Sequence, residues 1–295
     1  MGPAIIIGAV NPRLKILAAA VLFSTSGAAI KFLTLDVWQV AGLRGLIAGL
    51  ALLVMLPEAR RGWNWRTLVL GLGYGASTIT FALANRMTTA ASAIFLQSTS
   101  PVFILLLGPA LVGERARRGE VGVLIAMGIG MALFFVGMDR PGRVASDPLA
   151  GDLIALLSAL TWGLTIIGSR WVGRGADGAG AVAGSAAVGN LLSFLFCIPF
   201  GSVFAGLTGA QGAILIYLGV FQLGVAYVLM SRALPHVRAL EVSLLLLVEP
   251  VVSPVWAFFL VREVPGTWSL VGGAIILIAT VWHARVAQEA VPPAD

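Results

Sequence analysis

The sequence predicts an all-α integral membrane protein, with ten transmembrane helices forming two inverted five-helix repeats. Three observations predict it: a composition unsuited to water, ten apolar stretches of membrane-crossing length, and motifs of the first half that return in the second. Of 295 residues, 59% are hydrophobic and 11% are charged, with a mean hydropathy of +0.98. A soluble domain carries about 25% charged residues. The balance excludes a soluble enzyme, a disordered chain and a fibrous protein, and makes lipid the solvent.

The ten stretches follow in order. The first, Leu14–Leu33, carries Thr25 and Ser26. The second, Trp38–Leu56, holds Arg44 when the other basic residues are assigned to loops. The third, Thr67–Ala84, sets Gly71, Tyr74, Gly75 and Thr78 on one face, its glycines allowing a neighbouring helix to approach. In the fourth, Ala90–Leu111, Gln97, Ser100 and Pro101 share a stripe with Ala93, Ile104 and Gly108. The fifth is Val121–Met138. The sixth, Leu149–Ser169, aligns Ser158, Trp162, Thr165 and Ser169. The seventh, Gly180–Phe200, contains Cys197, the single cysteine, so no intramolecular disulfide forms. The eighth, Ala213–Ser231, carries Gln222 and Tyr227. The ninth, Leu240–Leu260, aligns Val242, Leu246, Glu249, Ser253 and Trp256. The tenth is Trp268–Trp282. Ile5–Val10 is too short for the core of a signal peptide, and Arg13 and Lys15 follow it, so the first stretch is expected to remain a span.

Basic residues set the expected orientation. Thirteen fall in one set of loops (Arg13, Lys15, Arg60, Arg61, Arg66, Arg115, Arg117, Arg118, Arg170, Arg174, Arg232, Arg238, Arg285). Five fall in the alternate set (Lys31, Arg86, Arg140, Arg143, Arg262). The positive-inside rule places the first set, and with it both termini, in the cytoplasm. The net charge of +6 thus follows from topology, and no nucleic-acid partner is expected.

The repeat is read from matched segments. Ala90–Glu114 aligns with Ala239–Glu263, pairing Ala90 with Ala239, Pro101 with Pro250 and Glu114 with Glu263. Phe81–Arg86 (FALANR) resembles Tyr227–Arg232 (YVLMSR), and Thr25–Ile30 (TSGAAI) can be laid on Thr161–Ile166 (TWGLTI). The units are residues 1–145 and 146–295. Five helices is an odd number, so the second unit enters the membrane from the opposite side, as in alternating-access transporters with a midplane site.

With Pro101 before a distal Glu114, Glu249-Pro250 before Glu263, Trp162-Gly163 opening the second half and Arg44 in the second helix, the chain resembles the EamA-type drug/metabolite transporter superfamily. Leu234–Gly266 looks like the YddG-type aromatic amino-acid exporters within it. That resemblance implies an inner-membrane exporter of neutral and aromatic amino acids. Where the superfamily has a Trp before Gly27, this chain has Ser26, which opens room beside the first helix.

Polar residues inside spans are costly and face the bundle interior or a water-filled cavity. The candidate substrate-binding set is therefore Thr25, Ser26, Tyr74, Thr78, Gln97, Ser100, Trp162, Thr165, Gln222, Tyr227 and Glu249. Pro101 and Pro250, which remove backbone hydrogen bonds, are candidate hinges; a static packed kink is the alternative. Three readings of Glu249 stay open: a site for a substrate ammonium or coupling proton, an ion pair with Arg44, or a neutral acid bonded to backbone. Aromatics mixed with neutral hydrogen-bonding groups suit a small zwitterion better than a phosphorylated sugar. Expected partners are such a small-molecule substrate, the bilayer and, if Glu249 titrates in the cycle, protons; the protein is expected to be a monomer or weak dimer. His236 and His283 lie far apart near helix ends, no acid cluster or nucleophile motif accompanies them, and there is no Walker A motif. Neither an enzyme, a metal centre, a cofactor nor ATP-driven transport is expected. A carrier for a drug, purine or nucleotide sugar is the nearest alternative, and a membrane enzyme or scaffold the more distant one.

Overall fold

A computed structural model describes residues 11–61, 63–113, 118–136, 145–173, 178–201, 203–233, 245–246 and 248–289. Glu114, His236, Val242 and the start of the ninth predicted span lie outside them. Among the described residues every regular element is helical. Seven helices are long and apolar enough to cross a membrane, and three shorter apolar helices are Gly122–Val136, Val248–Val261 and Thr267–Trp282. Each predicted span overlaps one of these ten segments, so the expected ten full-length spans are met in length by seven.

The elements are α1 (Pro12–Ser24), α2 (Ser26–Phe32), α3 (Val37–Met55), α4 (Trp65–Met87), α5 (Ala90–Gln97), α6 (Ser100–Val112), α7 (Arg118–Val136), α8 (Pro148–Gly173), α9 (Gly178–Cys197), α10 (Gly209–Ile216), α11 (Ala226–Ala233), α12 (Val248–Val261) and α13 (Thr267–Glu289). A π-helical stretch, Tyr217–Val225, joins α10 to α11. Side chains that satisfy orphan amides define several starts. Asn11 accepts from the Arg13 amide ahead of α1. Asp36 with Gln39, Asn64 with Thr67 and Thr208 with Gln211 form capping boxes at α3, α4 and α10.

Two predicted spans are broken where continuous helices were expected. The first is interrupted at Thr25, between α1 and α2. The fourth breaks at Ser98 and Thr99, and Pro101 occupies the second position of the new helix α6. Proline is tolerated there because the first turn has no intrahelical use for its missing N–H. The side chains of Ser98 and Thr99 turn back to the Ile94 and Leu96 carbonyls at 2.8 and 2.6 Å. Pro250 lies on α12, which carries a second proline, Pro254, inside the helix.

The polarity is that of a protein in lipid. Val54, Leu72, Ile125, Phe259 and Ile278 point outward and are more than half exposed, whereas Ser24, Asn85, Asp152 and Asn190 are buried. The helices of the two halves interleave: α4 packs on α8 and α9, and α9 on α3, while α13 packs on α7. At the α4–α9 crossing the predicted close approach is present. A Cβ at Gly75 would stand 2.7 Å from the Gly189 carbonyl oxygen, so any larger residue forces the helices apart.

The helix ends form two groups. At one, Lys31 and Glu263 pair at 3.1 Å, and Thr88 donates to Asp152 at 2.6 Å. Glu263, 2% exposed, also accepts from the Ala90 and Ala91 amides at 2.6 and 3.4 Å. It thereby places a negative charge on the N-terminus of α5. Lys31 donates to the Thr88 carbonyl at 2.7 Å. At the other end, Arg66 lies 4.9 Å from the Trp171 ring centre, and Glu58 meets Arg232 at 3.6 Å.

The turn that delivers Glu263 is a left-handed helix cap: the Arg262 amide bonds to the Phe258 carbonyl and the Glu263 amide to that of Ala257, with Arg262 left-handed at φ 58°. Its counterpart in the sequence alignment, Gly113, is left-handed at φ 75° at the end of α6. Both precede a glutamate.

Candidate solute-binding cavity

A cavity of about 280 Å³ lies at the middle of the helices, at the small end of small-molecule sites, which span roughly 300–1,000 Å³. It is built from broken or kinked elements. Ser26 opens α2, Ser98 belongs to the break before α6, Ser100 and Pro101 start α6, Gln222 belongs to the π-helical stretch, and Glu249 and Pro250 lie on the proline-bearing α12. A helix end or a π-turn leaves backbone polar groups without intrahelical partners, and in lipid such a backbone is tolerated where it borders a polar cavity.

Of the expected substrate-binding residues, Ser26, Tyr74, Thr78, Gln97, Ser100, Trp162, Gln222, Tyr227 and Glu249 all line this one cavity, as do Pro101 and Pro250. Thr25 and Thr165 stand off its wall. The Thr25 hydroxyl gives its proton to the Leu22 carbonyl at 2.7 Å, so the Tyr217 hydroxyl, 2.9 Å away, donates to it. Thr165 is buried and donates to the Thr161 carbonyl at 2.8 Å; its hydroxyl faces Gly73 across the α4–α8 contact. Both are satisfied within the helix bundle.

One wall is aromatic. Tyr74 meets Trp162 edge-on at 6.0 Å and Tyr227 at 6.1 Å, and Phe23 meets Tyr227 at 5.6 Å. Edge-to-face geometry is the favoured packing for such rings, and leaves ring faces for an apolar group. The Gln97 amide donates to Ser158 at 2.8 Å, which fixes its orientation.

The charged groups bear on the three open readings of Glu249. Arg44 and Glu249 both line the cavity, but no ion pair joins them among the described residues. Tyr227 lies within electrostatic reach of both. Glu249 makes no hydrogen bond among the described residues, which also sets aside a carboxyl bonded to their backbone.

Sequence reading omitted Phe23, Ser77, Phe81, Ser98, Leu223, Met230 and Thr280 from the wall. Two signals would have found two of these. Ser77 and Phe81 continue the helical step from Tyr74 and Thr78, and Phe81 is the counterpart of Tyr227 in the internal alignment. Five aligned pairs in fact meet at the cavity: Ser26 with Trp162, Phe81 with Tyr227, Gln97 with Leu246, Ser100 with Glu249, and Pro101 with Pro250. Among the described residues no group of His, Cys, Asp and Glu has a metal-binding arrangement.

The EamA-like transporter family matches residues 13–136 and again residues 149–284. An uncharacterized transporter of Archaeoglobus fulgidus is 28% identical over 268 residues, covering 86% of this chain and 89% of its own. A protein of Pseudomonas aeruginosa, described as uncharacterized, is 30% identical over 268 residues, covering 85% and 88%. A crystal structure with a TM-score of 0.64 and 20% identity covers 94% of this chain and 98% of its own, and shares the fold.

Proposed function

The chain belongs to the EamA-like transporter family, which makes it a membrane transporter of a small solute, and from that premise we propose an inner-membrane exporter of neutral and aromatic amino acids. It works by alternating access between two inverted five-helix repeats, residues 1–145 and 146–295, with both termini in the cytoplasm.

The observation that carries this reading is the cavity wall. Residues aligned by the internal repeat meet around one central space, as they must if a pseudo-two-fold axis in the membrane plane passes through it. The family match to each half separately and the left-handed turn before a glutamate in each half support the same symmetry. A repeat and its inverted copy can exchange conformations, which makes inward- and outward-open states near mirror images. The Lys31–Glu263 end, which on this orientation is the outer one, is then a closed end.

The solute class follows from the wall. Tyr74, Trp162 and Tyr227 offer ring surface, and Ser26, Thr78, Gln97, Ser100 and Gln222 offer neutral hydrogen bonds. The volume favours a solute of amino-acid size over a nucleotide sugar. Pro101, in the first turn of α6, and Pro250, on α12, both border the cavity and serve as hinges, because proline removes a backbone hydrogen bond and lets the helix bend there.

Purified protein in liposomes, tested for saturable exchange against radiolabelled amino acids, purines and nucleotide sugars, tests the reading. Exchange of neutral and aromatic amino acids is the expected result. Exchange confined to another class would replace the solute, and absence of all flux would overturn the carrier.

A further inference from the structure

Arg44 is the part of the cavity that a generic solute leaves unexplained. It stands at mid-length in α3, only 3% exposed, and lines the cavity. Among the described residues its buried Nε and Nη1 have no hydrogen-bond partner, and no carboxylate pairs with it. A guanidinium does not shed its proton in a protein. A buried charge without a counter-charge is costly, most of all at membrane depth. Gln222, 3% exposed on the same wall, has an equally unpartnered Oε1. What these groups lack inside the chain, an entering molecule can supply.

We propose that Arg44 receives the carboxylate of the solute, so that the carried class is small zwitterions with an apolar side chain. The ammonium group lies toward Glu249, and the side chain lies on the rings of Tyr74 and Trp162. This rests on the carrier reading above and narrows it to two-point recognition.

The guanidinium presents a planar fork of donors matched to a carboxylate. A phosphate dianion fits poorly. Among the lining residues Arg44 is the sole cation and Glu249 the sole acid, so a dianion would gain one partner and meet one repulsion. A simple amine leaves Arg44 unpartnered and a simple carboxylate leaves Glu249 unpartnered. A zwitterion answers both and adds no net charge to the low-dielectric interior.

The test is counterflow of radiolabelled L-phenylalanine into proteoliposomes holding the wild-type protein and preloaded with unlabelled L-phenylalanine. The competitors are L-phenylalaninamide and 2-phenylethylamine, which lack the carboxylate, and 3-phenylpropanoate, which lacks the amine. Each is expected to compete about 30-fold more weakly than L-phenylalanine, the scale of leaving a buried charge unpaired. Arg44→Gln is expected to weaken L-phenylalanine by a similar factor and to erase its advantage over the amide. If the amide or amine competes as well as L-phenylalanine on the wild type, the carboxylate anchor is wrong while the carrier stands. Flux of a solute class without a carboxylate has the same meaning, whereas absence of flux for every solute removes the carrier and the anchor together. The competitor comparison needs no variant, so it decides even where Arg44→Gln does not fold.

Discussion

Two of the places that bury charge among the described residues treat it in opposite ways. At the Lys31–Glu263 end, each charged group has partners: an ion pair at 3.1 Å, two amides on the carboxylate and the Thr88 carbonyl on the ammonium. In the cavity, Arg44 and Glu249 line one space without pairing, and two guanidinium nitrogens bond nothing. The first arrangement ties α2 of one half to the end of α12 and the start of α5. The second leaves charge available to a visitor. A buried ion in lipid is therefore structural or functional according to where its partner comes from.

The largest expected effect falls on the paired end. Glu263→Gln or Lys31→Met leaves a buried charge without its partner, and should cost about 3–5 kcal/mol of stability, read as a lowered Tm of the purified protein. The Lys31→Met/Glu263→Met double variant should lose less than either single one. Equal losses in all three would erase the contrast between the ends. Next comes Glu249→Gln, expected to slow solute exchange about tenfold, the scale of one charge-assisted hydrogen bond, with Tm unchanged. A normal rate that is also independent of pH would remove Glu249 from both binding and coupling. Trp162→Ala should raise the KM for exchange about 3- to 10-fold while folded protein is recovered in normal yield; an unaltered KM would take Trp162 out of the site. The smallest effect is Thr165→Val, expected to change the exchange rate by less than about twofold, because its hydroxyl is satisfied inside α8. A larger loss would return Thr165 to the cavity.

Much of the site was legible in the sequence because lipid makes polar residues expensive and the helical period assigns them a face. Tyr74 with Thr78, and Gln97 with Ser100 and Pro101, were found in this way. The same reasoning could not separate a group facing a cavity from one satisfied by its own helix, as Thr25 and Thr165 are. It also could not see partners far along the chain. Glu263 was visible as a repeat marker, yet its bond to Ala90 crosses 173 positions. Arg44 and Glu249 were candidates for each other, but helical face fixes direction, not depth. The breaks at Thr25 and at Ser98–Thr99 depend on side chains that turn back on carbonyls, a choice the apolar pattern does not record.

The paired left-handed turns have a kinetic consequence. Gly113 enters that conformation freely, whereas Arg262 pays about 1 kcal/mol to do so. The two turns are thus not equally easy to form and dissolve, although the same family model matches both halves that carry them. For a passive carrier this asymmetry cannot rectify flow, because detailed balance keeps the ratio of maximal rate to half-saturation the same in both directions. It shows instead as unequal half-saturation on the two faces of the membrane, matched by unequal maximal rates. Net movement in either direction then comes entirely from the solute gradient, or from a coupled ion.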